Sequence, residues 1–372
     1  MTKKILFVTP YFGRSGSEMQ LLYLLKNLDV KKYQIFLYTR DNGELLSLLP
    51  PHIKRFVGYK KHNNFLLRIF RLLLYCIGIN PTEYQLKRLN KRIKPDLWYI
   101  NTVVNRDAYN IAQKLGVRFI AHIHEMTFSY SFIKKRTLET IIDRAEICVG
   151  CSEMVCEKLR DMGHEKVRLL NGFVDKSLIN IDQNKTLDLK KNLGISDEDF
   201  VWIISGAGSL VKGIDLVIPL IKKLKKNHKI IWVGGINNNG TAYYAQRAVK
   251  KNFKDRIFFV GNQSDDYYNY FNIGKGFLSL SREDSYPLVM IEAAHLGMPM
   301  VGFRSGGINE FVSSPKLGYL SYINDFEDLA KNMHRIEEEY VSIDRAYIQS
   351  YANLFNAKTQ TKLLESILDE MS

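Results

Sequence analysis

The sequence is poor in cysteine and has no long hydrophobic run. Four cysteines in 372 residues are too few for a disulfide scaffold. Cys148 and Cys151 form a single C-x-x-C, which favours two buried small side chains over a metal or redox site, since such a site needs further ligands or a helix-start thiolate. The apolar run Ile5–Val8 is too short for a signal peptide, and no 18-residue apolar stretch indicates a spanning helix. We therefore expect a cytoplasmic chain.

Acidic residues are almost absent from Lys54–Lys94, which contains eleven basic residues and the single acid Glu83. This segment therefore carries a net charge of +10, out of +14 for the whole chain. Its segment Asn64–Ile79 is strongly apolar but too short and too charged to cross a bilayer. This pattern predicts an interfacial helix on an anionic membrane surface, and the alternative is a core helix with a basic exposed edge. Nucleic acid is not expected, because aromatic residues do not interleave with the basic ones. The residues assigned to the membrane and acceptor side are Arg68, Arg71, Lys87 and Arg88.

Short β-rich apolar segments alternate with longer helical patterns over most of the chain. The alternation predicts an α/β protein whose parallel sheets are covered by helices on both faces. The predicted strands are Ile5–Val8, Gln34–Tyr38, Leu97–Ile100, Arg118–His122, Ile147–Gly150, Val201–Ser205, Lys229–Val233, Ile257–Val260, Gly276–Leu280 and Met300–Phe303. The predicted helices include Glu18–Leu28, Ile214–Lys226 and Leu288–Leu296.

The polar segment Asn180–Asp199 interrupts the alternation and predicts a connection between two α/β domains. We expect a first domain at 1–180, a second at 196–340, and helices at 341–372 that cross back to the first. Ligands of open α/β sheets bind beyond the carboxyl ends of the strands, so a cleft between the two domains is the expected site.

The stretch Ser281–Glu310 combines a strand, a polar loop, a helix, a second strand and the glycine turn Gly306–Gly307. Pro287 suits the first turn of the helix, whose unpaired backbone N–H groups form a ready anion site. Glu292 lies just over one turn into that helix, where its carboxylate can accept hydrogen bonds from vicinal hydroxyls such as those of a ribose. Each piece is common by itself, and Asp284 with Glu292 alone is more simply interpreted as a capping and surface pair.

Taken together, the stretch resembles the donor-site signature of the family-4 retaining glycosyltransferases, S-R-x-E-x-F-x-x-x-x-x-E-A followed by G-x-P-V and G-G-x-x-E. The matching residues are Ser281, Arg282, Pro287, Glu292, Ala293, Gly297, Pro299, Gly306, Gly307 and Glu310. The first acid of the signature falls on Asp284, with Glu283 beside it, in a D-S-[FY]-P-L-V version. Val201–Leu216 is similar to the phosphate loop of the family's second domain, and Gly16 with Glu18 to its G-G-x-E turn.

The resemblance implies the GT-B fold, in which two Rossmann-like parallel-sheet domains face each other across a cleft and a C-terminal helix packs on the first domain. It implies catalytic roles for His124, Asp284 and Glu292. For His124, at the end of a predicted strand, contact with the donor sugar is weighed against a satisfied, partly buried histidine. The implied donor and diphosphate ligands are Gly16, Gly208, Ser209, Lys212, Gly213, Tyr286, Pro287, Leu288 and Glu292.

Two features of this set are open. The phosphate loop carries no arginine after its glycine, although the family often has one there. Either Asp284 or Glu283 is the acid that reaches the sugar.

The resemblance implies transfer of a sugar from a UDP- or GDP-sugar to a glycan acceptor with retention of configuration. Such a front-face reaction depends on positioning and on stabilising the leaving diphosphate, so no metal cofactor is expected. The basic region adds the expectation of a polyprenyl-diphosphate-linked acceptor, a role in lipopolysaccharide or capsule synthesis, and a peripheral place on the inner face of the cell membrane. A homodimer is left open. The alternatives are a soluble acceptor, a nucleotide-sugar epimerase, or a non-catalytic nucleotide-binding partner.

Overall fold

The structure, a computed structural model, describes residues 2–59, 64–236 and 238–371. It forms two compact units, Met1–Phe173 with Ala357–Ser372, and Val174–Asn356. The chain therefore changes unit after residues 173 and 356, whereas the expected boundaries lie at 180, 196 and 340. Lys60 and Lys61 of the basic region lie outside the described residues.

Strands and helices alternate along both units. The strands are β1 (Lys3–Thr9), β2 (Tyr33–Thr39), β3 (Lys54–Val57), β4 (Leu97–Asn101), β5 (Phe119–Ile123), β6 (Ile147–Gly150), β7 (Val167–Leu169), β8 (Phe200–Ser205), β9 (His228–Val233), β10 (Ile257–Gly261), β11 (Gly276–Ser279), β12 (Met300–Phe303) and β13 (Gly318–Ser321). The helices are α1 (Gly16–Asn27), α2 (Phe65–Cys76), α3 (Pro81–Ile93), α4 (Arg106–Leu115), α5 (Thr127–Tyr130), α6 (Lys135–Arg144), α7 (Glu153–Asp161), α8 (Gln183–Asn192), α9 (Val217–Ile221), α10 (Gly240–Asn252), α11 (Tyr267–Ile273), α12 (Leu288–His295), α13 (Ile308–Phe311), α14 (Phe326–Glu339), α15 (Arg345–Ala352) and α16 (Ala357–Asp369).

The described part of the first unit holds a seven-stranded parallel sheet in the order β3-β2-β1-β4-β5-β6-β7. β4 and β5 are buried along their whole length, as strands are when helices cover both faces of a sheet. The strand order reverses between β1 and β4, and a crevice opens at the carboxyl ends of such a pair.

The C-terminal helix α16 belongs to the first unit and packs on α1. The Lys3 ammonium donates to the Leu368 carbonyl over 2.6 Å, and the Tyr33 hydroxyl donates to the Asp369 carboxylate over 2.8 Å. An Arg168–Glu370 ion pair of 2.7 Å lies near the end of the helix. The expected return of the C-terminal helix to the first domain is confirmed.

The second unit repeats the same topology. Its described residues form a six-stranded parallel sheet in the order β10-β9-β8-β11-β12-β13, with Trp202 and Trp232 fully buried in its core. Counted within the unit, this is the 3-2-1-4-5-6 order of a doubly wound sheet, and it reverses between β8 and β11. The residues that follow these two strands therefore meet at one edge.

Two predicted segments differ from the structure. The segment Asn180–Asp199 is not a plain connection, because it holds α8, which Asp182 caps and which packs on α11. The predicted helix Ile214–Lys226 is a 3-10 turn at Ile214–Leu216 followed by the short α9, in which Pro219 supplies no backbone N–H.

Of the four cysteines, Cys76 is exposed and the other three are buried. Cys148 and Cys151 are both buried, and burial raises the pKa of the Cys148 thiol. The interpretation of the C-x-x-C as small core side chains is confirmed by this placement.

Candidate functional site

The loop after β8 is shaped by glycines. Gly213 has φ +76°, and a Cβ there would lie 2.2 Å from the Leu280 carbonyl oxygen. A Cβ on Gly208 would lie 2.8 Å from the Ile214 side chain. The N–H groups of Gly208 and Gly213 donate to the carbonyls of Gly235 and Leu210, at 2.8 and 3.1 Å. These two glycines therefore shape the loop, and their own N–H groups are engaged within the protein.

We predict that Gly213→Ala destabilises the protein by about 2 kcal/mol or more, because a left-handed conformation is strained for alanine and the new methyl meets a backbone oxygen. Gly240→Ala is the matched control, since a Cβ at the start of α10 has no atom within 4 Å. Denaturant unfolding measures both variants. Equal stability of the two would contradict the prediction.

Lys212 and Asp284 form an ion pair across the edge of the second sheet. The Lys212 ammonium, on the loop after β8, donates to the Asp284 carboxylate, on the loop after β11. The two side chains are 27% and 14% exposed, so the pair is largely shielded but reachable. Ser209 supports the lysine, because its hydroxyl oxygen accepts the Lys212 backbone N–H over 3.3 Å. The structure thus joins two predicted donor ligands directly.

Arg282 ties the two loops together. Its guanidinium donates to both oxygens of the Asp215 carboxylate over 2.9 and 2.8 Å and to the Leu210 carbonyl over 2.6 Å. The Arg282 N–H donates to the Val211 carbonyl over 2.7 Å. The guanidinium holds the pKa of Asp215 below its usual value, against the opposing effect of burial, and so keeps that carboxylate charged. Arg282 therefore stabilises the loop that carries Lys212.

Glu292 lies on α12 with both carboxylate oxygens engaged. The Tyr267 hydroxyl donates to Oε2 over 2.9 Å, and the Tyr268 hydroxyl donates to Oε1 over 3.0 Å. The Tyr267 hydroxyl also lies 2.8 Å from the hydroxyl of Ser205, the last residue of β8. Burial raises the pKa of Glu292, and the two tyrosine hydrogen bonds partly offset that shift.

The start of α12 is held by buried contacts. Pro287 is its N-cap residue, and Leu288 is the first helical residue. The Tyr286 side chain is buried, and its ring centroid lies 5.8 Å from that of Phe355. Its aromatic ring therefore packs in the core. The Gly307 N–H donates to the Asp284 carbonyl over 3.0 Å. The glycine turn predicted at 306–307 thus fixes the loop that presents Asp284.

In the first unit, Gly16 is the exposed first residue of α1, two residues before the buried Glu18. Glu18 is the third residue of α1, a position from which a carboxylate can cap the start of a helix. Burial raises the pKa of Glu18 to about 7, and the charge of Glu125 adds to the effect.

His124 follows β5 in a buried polar cluster. Its Nε2 lies 2.9 Å from Asn101 Oδ1, and its ring centroid lies 3.9 Å from that of His122, whose Nδ1 is 2.6 Å from the Tyr99 hydroxyl. The Glu125 carboxylate accepts the His124 N–H over 3.0 Å. Burial lowers the pKa of His124 to about 3, so the imidazole is neutral at physiological pH. The sequence predicted His124 at the end of this strand but not the polar cluster around it, for which the H-x-H-E spacing was the one signal.

Helix α2 exposes nearly all of its apolar side chains. Asn64 caps it by accepting the N–H groups of Leu66 and Leu67, and only Leu74 within it is buried. The exposed large apolar side chains of the helix are Phe65, Leu66, Ile69, Phe70, Leu72, Leu73 and Tyr75, and Ile77 just beyond the helix is exposed as well. At 100° per residue Phe65, Leu66, Ile69, Leu72 and Leu73 lie on one contiguous face, which we name the α2 apolar face. The alternative of a core helix is therefore wrong.

The predicted basic residues lie on α2 and on the next helix, α3. Arg68 and Arg71 lie on α2, Arg68 exposed and Arg71 half-buried, and Lys87 and Arg88 are exposed on α3. Among the described residues, no single helix is long and apolar enough to cross a membrane. The bent pair of α2 and α3, at 104°, meets that test only when the two are joined, by length and composition alone.

Metal ligands are not clustered in the part of the chain that the structure describes, since it contains no group of three or more His, Cys, Asp or Glu side chains able to hold an ion. The residues at the edge of the second sheet instead offer one ammonium, two carboxylates and the start of a helix.

The chain is similar in sequence to several known proteins. Residues 186–355 match the family model described as "Glycosyl transferases group 1". The N-acetyl-alpha-D-glucosaminyl L-malate synthase of Bacillus anthracis is 25% identical over 195 residues, 51% of this chain and 49% of that enzyme, so this match spans about half of the relative. The lipopolysaccharide 1,2-N-acetylglucosaminetransferase of Salmonella typhimurium is 28% identical over 375 residues, 92% of this chain and 94% of that enzyme.

The fold is shared with solved structures. Anabaena Alr3699/HepE in complex with UDP-glucose superimposes with a TM-score of 0.80 at 17% identity, over 99% of each chain. The predicted fold class, two parallel-sheet α/β units of the GT-B type, is confirmed.

Proposed function

We propose that this chain, which carries a group 1 glycosyl transferase domain at residues 186–355, moves a sugar from a nucleotide-sugar to a glycan acceptor with retention of configuration. The observation that carries this proposal is the Lys212–Asp284 pair at the point where the strand order of the second unit reverses, with Glu292 linked through the Tyr267 hydroxyl to Ser205 at the end of β8. UDP-glucose in the complex of the structural neighbour supports a nucleotide-sugar donor.

Each group has a role in this proposal. The Lys212 ammonium neutralises the leaving diphosphate, together with the unpaired N–H groups at the start of α12. The Asp284 carboxylate, released from Lys212 when the diphosphate arrives, accepts hydrogen bonds from hydroxyls of the sugar. The Glu292 carboxylate accepts those of the ribose. We propose Gly16 on the first unit as a further diphosphate contact.

His124 supplies a neutral imidazole to the donor sugar. Because its pKa is depressed to about 3 by burial, it acts as a hydrogen-bonding group and not as a charge. In this proposal charge stabilisation rests on Lys212 and the start of α12, and His124 orients the sugar. The acceptor hydroxyl attacks from the face that the diphosphate leaves, and its proton passes to a phosphate oxygen of that leaving group.

The test is a panel of UDP- and GDP-sugars scored by thermal shift and by release of the nucleoside diphosphate. A ligand that binds only the folded state raises the melting temperature, so the donor is identified by a shift that grows with its concentration. Nuclear magnetic resonance of the transferred sugar then gives its anomeric configuration. A folded protein that responds to no donor would contradict the function, and an inverted product would contradict retention alone.

We further propose that the acceptor is lipid-linked and that the α2 apolar face rests in the interface of an anionic membrane. Phe65 and Leu66 are 70% and 72% exposed. Exposure of these apolar side chains to water is unfavourable, and their transfer into the headgroup boundary of a membrane is favourable. Arg68 beside them, with Lys87 and Arg88 on α3, is complementary to anionic lipid. The named relative that acts on lipopolysaccharide supports such an acceptor.

We predict that Leu72→Glu lowers binding to phosphatidylglycerol vesicles by about tenfold or more, since an interfacial leucine contributes about 1.5–3 kcal/mol of apolar burial. Leu187→Glu on α8 is the matched control, because Leu187 is 62% exposed and Leu72 is 61% exposed. Vesicle flotation measures both. Paired removal of Arg68 and Arg71 weakens binding only to anionic vesicles, and unchanged flotation of all variants would overturn the membrane proposal.

A further inference from the structure

The two tyrosines that contact Glu292 begin helix α11. Asp266 is the N-cap residue of this helix, and Tyr267 and Tyr268 are its first two residues. Their ring centroids lie 5.0 Å apart, and the Tyr267 ring lies 4.8 Å from that of Phe271. The aromatic rings thus pack against one another at the start of α11, which restricts the rotamers of both tyrosines.

The hydrogen bonds have a definite direction. A phenol has one proton, and Tyr267 donates it to Glu292 Oε2, so the Ser205 hydroxyl donates to the Tyr267 oxygen. A chain of hydrogen bonds therefore runs from the end of β8 to the carboxylate. Tyr268 meets the other oxygen, Oε1. The carboxylate is held at two points from one side by a neighbouring helix.

The position of the carboxylate matters because a glutamate side chain is flexible. An unrestrained glutamate on a helix samples several rotamers, and ordering it on ligand binding lowers the affinity. Each carboxylate oxygen accepts two hydrogen bonds, so one acceptor position on each oxygen is available to a ligand after the tyrosines have donated. Two carboxylate oxygens with one such position each match the two adjacent hydroxyls of a ribose.

We propose that Tyr267 and Tyr268 are positioning residues that orient Glu292 to receive the vicinal hydroxyls of the donor ribose, and so set the preference for a ribonucleotide. This inference rests on the proposed function and adds to it two residues outside the donor-site signature. It assigns the tyrosines to binding of the nucleotide rather than to the chemistry at the sugar.

The test compares Tyr268→Phe and Tyr267→Phe with Tyr270→Phe, a control on the same helix whose hydroxyl lies near Asp266. Calorimetry measures the affinity of each for UDP and 2′-deoxy-UDP, with GDP and 2′-deoxy-GDP as the second pair. We expect each of the two variants to weaken ribonucleotide binding by about tenfold, the cost of a hydrogen bond to a charged group, and to bind the deoxynucleotide as the wild type does. In turnover, KM for the donor rises and kcat stays unchanged.

The outcomes separate this inference from the function it rests on. If Glu292→Ala loses the preference for the ribonucleotide and both tyrosine variants keep it, the positioning role is overturned and the function stands. If Glu292→Ala also binds and turns over the donor as the wild type does, the donor site itself is wrong. A melting temperature measured for each variant shows whether it is folded. Equal weakening of the ribo- and deoxynucleotide by the tyrosine variants would indicate a general structural effect and would also overturn the inference.

Discussion

Lys212→Ala is expected to lower kcat/KM for the nucleotide-sugar by about two to three orders of magnitude, the usual cost of removing one group that stabilises developing charge. Lys212 provides the ammonium of the Lys212–Asp284 pair. Its loss leaves the Asp284 carboxylate, 14% exposed, without that partner and facing the incoming diphosphate. The variant thus loses an attraction and gains a repulsion. Steady-state kinetics at saturating acceptor measures the effect.

A double variant divides the two contributions. Asp284→Asn in the Lys212→Ala background removes the repulsion, so the double variant should bind the free nucleoside diphosphate more tightly than Lys212→Ala alone. Turnover stays low, because the charge on the leaving group is still unopposed. Lys212→Arg keeps the charge and should retain most of the binding. A Lys212→Ala enzyme within threefold of the wild type would contradict the assigned role.

The residues of the proposed donor site were named from the sequence, but their contacts were not. The signature spacing identified Asp284 and Glu292, and the glycine loop identified Lys212. Nothing in the spacing shows that Lys212 pairs with Asp284, since the two are 72 residues apart and meet only because β8 and β11 are adjacent. The contact of the α11 tyrosines with Glu292 was missed as well, because it also forms only in the folded chain. Adjacent aromatic residues most often indicate core packing.

The central strands were predictable because they are continuously apolar. Short edge strands were not, because β3 and β7 carry few buried residues and resemble loops. Helix α8 was missed for a related reason, since Thr186 is its one buried residue and no apolar period marks it. Hydrophobic patterning detects an element through the face it buries, so elements with little burial are found only in the fold.

Helix α2 presents the opposite case. Its sequence is compatible with a core helix and with an interfacial helix, because both bury an apolar face. Exposure of the side chains in the structure decides between them, since only Leu74 is buried against the first unit. Vesicle flotation tests whether a membrane covers the α2 apolar face.

His124→Ala is expected to lower kcat by about a hundredfold, because the neutral imidazole is the proposed contact of the first unit with the donor sugar. Affinity for the free nucleoside diphosphate should stay unchanged, since the proposed contact of His124 is with the sugar and not with the nucleotide. Comparing kcat with the affinity for UDP checks this division. Loss of UDP affinity in parallel with kcat would place His124 in nucleotide binding instead.

The same variant changes the pH dependence of stability. The folded protein holds the pKa of His124 at about 3, below the ordinary value of 6.5, so the unfolded chain takes up a proton first as the pH falls. Stability is therefore lost progressively from pH 6.5 toward pH 3. Removing His124 should make the free energy of unfolding fall less between pH 7 and pH 5, by about 2 kcal/mol at about 1.4 kcal/mol per pKa unit.

Urea unfolding of the wild type and His124→Ala at both pH values measures this difference. His295, whose pKa burial also lowers, is present in both proteins, so its contribution cancels to first order. His124 helps to lower the pKa of the neighbouring His122, so its removal reduces the contribution of His122 as well, which changes the pH dependence in the same direction. His52→Ala, at an exposed histidine, is the control and should reproduce the wild-type pH dependence. If His124→Ala does so as well, burial does not hold the imidazole neutral, and the assignment of His124 as an uncharged hydrogen-bonding group would be contradicted.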